Sequence, residues 1–155
     1  MADSTKSASV FEMLILLEEA AGTFYKLCAL KFPANRDFWM SLSAAEEQHA
    51  RFLRDLGANP AEAVGFAARR RFTAAPLKSL LAALKKHCDA VETTVVTQTW
   101  ALTTAQSIEN SITENKVLSP VPGDPDTMIK TIRRINQETH GHCVQIESAL
   151  AALKK

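Results

Sequence analysis

The sequence predicts an all-α fold: an antiparallel four-helix bundle with one long crossover between helices 2 and 3. Three observations predict it. Ala and Leu dominate a chain that is 46% hydrophobic and only 6% aromatic, a composition that favours helix. Apolar residues recur at three- and four-residue spacing along most of the chain. Pro and Gly cluster at a few points, where helices end. A length of 155 residues suits one domain around one core, residues 1–155, with 1–8 expected to form a flexible N-terminal tail.

Helix 1 is expected over about 9–32. Ser9 and Glu12 form a capping-box pattern, a stripe runs through Phe11, Leu14, Ile15, Leu17, Ala21, Phe24, Leu27 and Cys28, and Pro33 stops the helix. The short link 33–35 makes helix 2, about 36–56, its antiparallel neighbour. Gly57 is the expected C-terminal cap of helix 2, and Pro60 prevents continuation. Residues 58–75 read as a long connection, followed by a helix from Leu77 to about Ala90 behind Pro76. The run from Val91 to Thr97 is dense in β-branched residues, so a break or kink is expected there. Helix 3 proper follows, about 97–118. Residues 119–123 are a Pro/Gly loop. Asp124 as N-cap with Pro125 at the first position opens helix 4, which runs to about Leu153.

Net charge is +1, which gives no basis for binding nucleic acid or an anionic membrane. The triplet Arg69-Arg70-Arg71 reads as a solvated loop face. There is no signal-peptide core and no apolar run long enough to span a bilayer. Cys28, Cys88 and Cys143 are odd in number, widely spaced and without a CxxC. They therefore form no disulfide framework, zinc ribbon or rubredoxin-type iron site. Each reads as a reduced, buried packing residue in a cytoplasmic protein.

The informative residues are polar ones that break the apolar stripes. Glu18 lies in the inward stripe of helix 1, with Tyr25 two turns on along the same face. Glu46 and His49 share a face of helix 2. Glu109 sits among Ala105, Ile108 and Ile112 on helix 3. His142 lies among Ile135, Val144, Ile146 and Ala149 on helix 4, with Glu138 and Thr139 one turn earlier. An inward carboxylate is costly unless paired, protonated or bound to metal, and one on each of three helices calls for a common partner. A divalent cation of iron, manganese or zinc supplies it, because these ions accept both carboxylate and imidazole. The expected metal ligands are Glu18, Glu46, His49, Glu109 and His142. Glu138 is either a substitute ligand or a surface cap. Tyr25 is either a core tyrosine or a hydrogen-bond partner of a ligand. Glu19, Glu47, His87 and His140 are expected at the surface.

The segment from Glu18 to Tyr25, followed by Ala45-Glu46-Glu47-Gln48-His49-Ala50-Arg51-Phe52-Leu53, resembles the first half of rubrerythrin-like, ferritin-like di-iron domains. Ala105-Gln106-Ser107-Ile108-Glu109 is similar to their third helix, and Ile135 to His142 to their fourth, which usually ends Glu-Glu-x-x-His. The resemblance covers about residues 9–150. It implies two non-haem irons held by a Glu from each of two helices and a Glu-x-x-His from each of the other two, here with Glu18 and Glu109 as the lone glutamates. It also implies redox chemistry toward peroxide or oxygen, or Fe(II) oxidation. With no rubredoxin domain, electrons would come from an external donor protein or from Fe(II), and a homodimer is the expected assembly. Two positions depart from the pattern. Thr139 stands where the second pair carries glutamate, and Lys116 where a second helix 3 tyrosine is common. Three carboxylates leave two divalent cations with an excess positive charge, or one cation with an excess negative charge. The alternative expectation is a non-catalytic structural or interaction module on the same fold, its metal site partly or wholly decayed.

Overall fold

The computed structural model describes residues 2–70, 75–114 and 118–154, with side chains from residue 10 onward except 113–114. Arg71 and Lys116 lie outside the described residues. Everything described is helix, turn or loop: α1 (Ala2–Lys31), a 3₁₀ turn (Pro33–Asn35), α2 (Arg36–Gly57), α3 (Pro60–Arg70), α4 (Ala75–Thr93), α5 (Gln98–Glu114) and α6 (Asp126–Leu153). No helix among these residues is long and apolar enough to cross a membrane.

Helix α1 begins at Ala2, seven residues before the expected start, so Ser9 and Glu12 lie inside it and form no N-cap. It ends before Pro33, and the 3₁₀ turn reverses the chain. α1 and α2 pack antiparallel over their length: Phe11 meets Gly57, Glu19 pairs with Arg54, and Ser43 Oγ donates to the Gly22 carbonyl at 2.8 Å. Gly57 is the last residue of α2, and Ala58 closes the helix in right-handed geometry, so no left-handed glycine cap forms there.

The expected long connection after residue 57 is mostly helix. Asn59 Oδ1 accepts the backbone N–H groups of Ala61 at 3.0 Å and Glu62 at 3.3 Å, and Pro60 occupies the first helical position. Asn-Pro is therefore a start signal here. The helix it starts buries Phe66 fully, with its ring 4.7 Å from that of Phe11. The arginines at its end are not a solvated loop face. Asp124 is buried, with Arg69 Nε at 2.8 Å from its Oδ1 and Arg70 at 2.6 Å from its Oδ2, and it also accepts the Val121 N–H at 2.9 Å. Pro125 is the N-cap residue of α6, so Asp124 ties α3 to the loop before α6 instead of capping it. Gly123, at φ +95°, makes the turn that brings Asp124 round; a Cβ there would sit 3.0 Å from Arg69 Cδ.

α4 runs parallel to α1, from Leu77 and Leu80 at the level of Leu14 and Leu17 to His87 at the level of Phe24. The helix stops at Thr93, where Thr93 and Thr94 turn their hydroxyls onto the Asp89 and Ala90 carbonyls, as the β-branched run led us to expect. Thr97 Oγ1 accepts the Trp100 N–H to start α5. α5 and α6 pack antiparallel, with Asn110 beside Cys143 and Leu118 beside Asn136. His87 is half-buried, its ring against Phe24 and Trp100, because α4 turns it toward α5. Val144 is 49% exposed: two residues from both His142 and Ile146, it points to the opposite side of α6. Cys28 and Cys88 are buried, and Cys143 is half-buried with its Sγ donating to Asn110 Oδ1 at 3.8 Å. Burial pushes the Cys28 thiol up to about 12 and the Cys88 thiol up to about 11, which keeps both protonated and unreactive.

Candidate metal centre

Four helices each bring polar side chains to one place. α1 brings Glu18 and Tyr25, α2 brings Glu46 and His49, α5 brings Glu109, and α6 brings His142 and Thr139, all of them buried. The reason is helical spacing. Glu46 and His49 lie on the stripe of Leu42 and Leu53, and Glu109 on that of Ala105 and Ile108, all buried apolar residues. Glu19 and Glu47, one residue further round, are exposed enough to pair with Arg54 and Lys26 at the surface. His140 is exposed.

The five expected ligands fall into two groups that share Glu46. One is Glu18, Glu46 and His49; the other is Glu46, Glu109 and His142. Within each group the ligand atoms lie within 4.8 Å of one another. His49 Nδ1 is 3.4 Å from Glu46 Oε2 and 3.7 Å from Glu18 Oε2. His142 Nδ1 is 3.0 Å from Glu46 Oε1 and 3.5 Å from Glu109 Oε1. Glu46 thus turns one carboxylate oxygen to each imidazole, and the two rings lie at a 24° interplanar angle with centroids 5.9 Å apart.

These atoms approach one another without satisfying one another. Glu18 Oε2, Glu46 Oε1, His49 Nδ1 and His142 Nδ1 are all buried and have no partner in hydrogen-bond geometry. Buried polar groups are nearly always hydrogen-bonded, so four such atoms facing one centre form the pattern a cation completes. The donor set of carboxylate oxygen and imidazole nitrogen suits a first-row divalent ion. The buried Glu/His groups can hold a metal ion.

Without an ion, protons must do the balancing. Burial, then the charge of Glu46, raises Glu18 well above the carboxylate range. Burial and Glu109 push Glu46 up, but its contacts with Glu18, His142 and His49 outweigh them and hold it below the usual value. Burial disfavours the charged imidazoles. The carboxylates Glu18 and Glu46 nonetheless push His49 up to about 11, and Glu109 and Glu46 push His142 up to about 9. A cation entering the cluster displaces these protons.

The surroundings differ between the two halves. His49 Nε2 lies 2.7 Å from Glu138 Oε2, and Glu138 is held in turn by Arg134 Nε at 3.1 Å. Glu138 thus lies in neither group of convergent ligand atoms; it grips the outer nitrogen of His49 and leaves Nδ1 facing inward, the carboxylate–histidine arrangement that orients an imidazole. Arg134 and Glu138 are four residues apart on α6, and that spacing is the sequence signal that points to the pair. On the other half, Tyr25 donates to Glu109 Oε1 at 2.5 Å. Tyr25 is fully buried and stacks on Trp39 at 6.0 Å. Burial and Glu109 keep its phenol protonated. Thr139 is 5% exposed one turn before His142 and offers a neutral hydroxyl. Comparison with protein-family models, with curated proteins and with solved structures returns no match for this chain.

Proposed function

We propose that this chain is a non-haem dinuclear metal carboxylate protein of the rubrerythrin-like kind, using iron, with manganese or zinc as the other ions its ligands suit. In this reading α1, α2, α5 and α6 are the four-helix bundle, and α3 with α4 are the crossover. One observation carries it: Glu46 stands between two buried Glu/His groups, one carboxylate oxygen against each imidazole. Glu18 and His49 would hold one ion, Glu109 and His142 the other, and Glu46 both. Bound iron supplies one-electron chemistry toward peroxide or oxygen, or the oxidation of further Fe(II).

The chain's own residues define what that chemistry can use. Tyr25 fixes the direction of Glu109 Oε1 and keeps its proton beside it. Glu138 fixes His49. Phe24, Leu53 and Ile135, buried on the same helices, keep the interior beside the cluster apolar. Thr139 offers a neutral hydroxyl where a second shared carboxylate would complete the charge balance, so a second ion binds more weakly than the first. Electrons come from a separate donor protein or from Fe(II), and the chain works as a homodimer.

The test is metal analysis by mass spectrometry of protein purified without chelator. More than one but fewer than two ions per chain, mostly iron, is the expected result, and Glu46→Ala abolishes binding. A second reading is favoured by Thr139, the neutral residue where the pattern carries glutamate. In it the cluster holds no metal, and the bundle serves as a structural or interaction module. Wild-type protein that takes up no metal from an Fe(II)- or Co(II)-supplemented buffer establishes this second reading over the first.

A further inference from the structure

Two cavities reach the ligand set from opposite sides, and they differ in size and chemistry. The one touching Glu18 is walled by leucines and Ile112 and has about 10 Å³ of room, at or below what a single water needs. The other is an open groove of about 440 Å³ between α2 and α6. Its α2 wall is Ser41, Ala44, Ala45 and Gln48, its α6 wall is Gly141 and Gln145, and Glu138 and His142 complete it.

Three features mark this groove as more than a gap between helices. His142 is 6% exposed, yet it lines the groove, and its Nε2 has no partner among the described residues where that of His49 is held by Glu138. Its Nδ1 is buried, unsatisfied and turned to Glu46, so one ring spans the groove and the centre. Gly141 lies in the interior of α6, where glycine costs about 1 kcal/mol relative to alanine, and a Cβ there would meet nothing within 4 Å. Gly141 therefore borders open space on the α6 wall of the groove. The lining is polar as well: amide and hydroxyl groups and the carboxylate of Glu138, which Arg134 Nε and His49 Nε2 already hold.

We propose that this groove is the port through which a hydrated divalent cation reaches the centre, with His142 as the first protein ligand it meets. The proposal rests on the reading of the cluster as a metal centre. Oxygen donors strip and replace the water shell of a hard cation in steps. The apolar wall on the Glu18 side offers no such donor beyond Glu18 itself.

The test follows Co(II) loading of the apoprotein by stopped-flow visible absorbance, in wild type, Gly141→Leu, Ala44→Leu and Leu80→Ala. Gly141→Leu fills the groove from the α6 side and Ala44→Leu from the α2 side, so one remains informative if the other folds poorly; circular dichroism checks both, with Gly141→Ala as the folding control. The expected result is loading slowed about tenfold or more by either leucine, the effect of roughly 1.4 kcal/mol of added barrier, with final stoichiometry and Co(II) spectrum unchanged. Leu80→Ala, which widens the Glu18-side cavity, leaves the rate as it was. Wild-type rates in both folded leucine variants, or faster loading in Leu80→Ala, overturn the port while leaving the centre standing. Failure of wild type to take up Co(II) overturns the centre and the port together.

Discussion

Glu138→Ala removes the one group that holds the outer nitrogen of His49, and its effect should be confined to half of the centre. His49 Nε2 and Glu138 Oε2 are 2.7 Å apart, while the Nε2 of His142 has no such partner among the described residues. Loss of a carboxylate that orients a ligating histidine lowers metal affinity by about 10- to 100-fold, or roughly 1.4–2.7 kcal/mol. Little else changes: Arg134, which loses its partner, is 56% exposed, and surface pairs contribute little. The assay is Co(II) titration by calorimetry in two single-histidine backgrounds. With His142→Ala only the Glu18–Glu46–His49 half remains, and adding Glu138→Ala should weaken it by the full factor. With His49→Ala only the other half remains, and Glu138→Ala should change nothing. An equal loss in both backgrounds would refute the reasoning, because it would make Glu138 a ligand of the centre as a whole, as the sequence alone allowed.

Three further outcomes follow. Thr139→Glu restores a fourth carboxylate, so two divalent cations are neutralised; metal analysis should show occupancy rising toward two ions per chain, and no change would mean the centre lacks no carboxylate. Asp124, held near pKa 2 by Arg70, the Val121 N–H and Arg69 against the cost of burial, is depressed from its ordinary value of 3.8, so its stabilisation is full above about pH 4 and is lost as pH falls toward 2. At about 1.4 kcal/mol per unit this is roughly 2 kcal/mol, and urea unfolding of wild type and Asp124→Asn should differ at neutral pH and converge toward pH 2; a pH-independent difference would count against the ion-pair account. Phe66→Ala, which empties a fully buried site against Phe11, should cost about 3–5 kcal/mol, and a loss under 1 kcal/mol would mean α3 does not dock as described.

Much of the site was legible in the sequence because an inward polar residue in an apolar helical stripe is a local signal. Glu18, Glu46, His49, Glu109 and His142 each betray themselves by spacing within their own helix, and a helix carries that spacing intact into the fold. Tyr25 was legible as a buried residue on the face of Glu18, but not its partner, since Glu109 is 84 residues away. The helical nature of 60–70 was written in Asn59-Pro60 and in Phe66, and was hidden by the glycine at 65 and by the three arginines, whose charge reads as solvated until Asp124 supplies a buried partner. The sequence by itself determined which side chains face inward, because helical periodicity is a property of neighbours along the chain. Only the tertiary structure decided how they divide: that Glu46 serves both histidines, that Glu138 reaches His49 across the interface between α2 and α6, and that His142 lines a groove between those two helices. Those are relations between helices, fixed by how their faces pack, and no spacing along one helix encodes them.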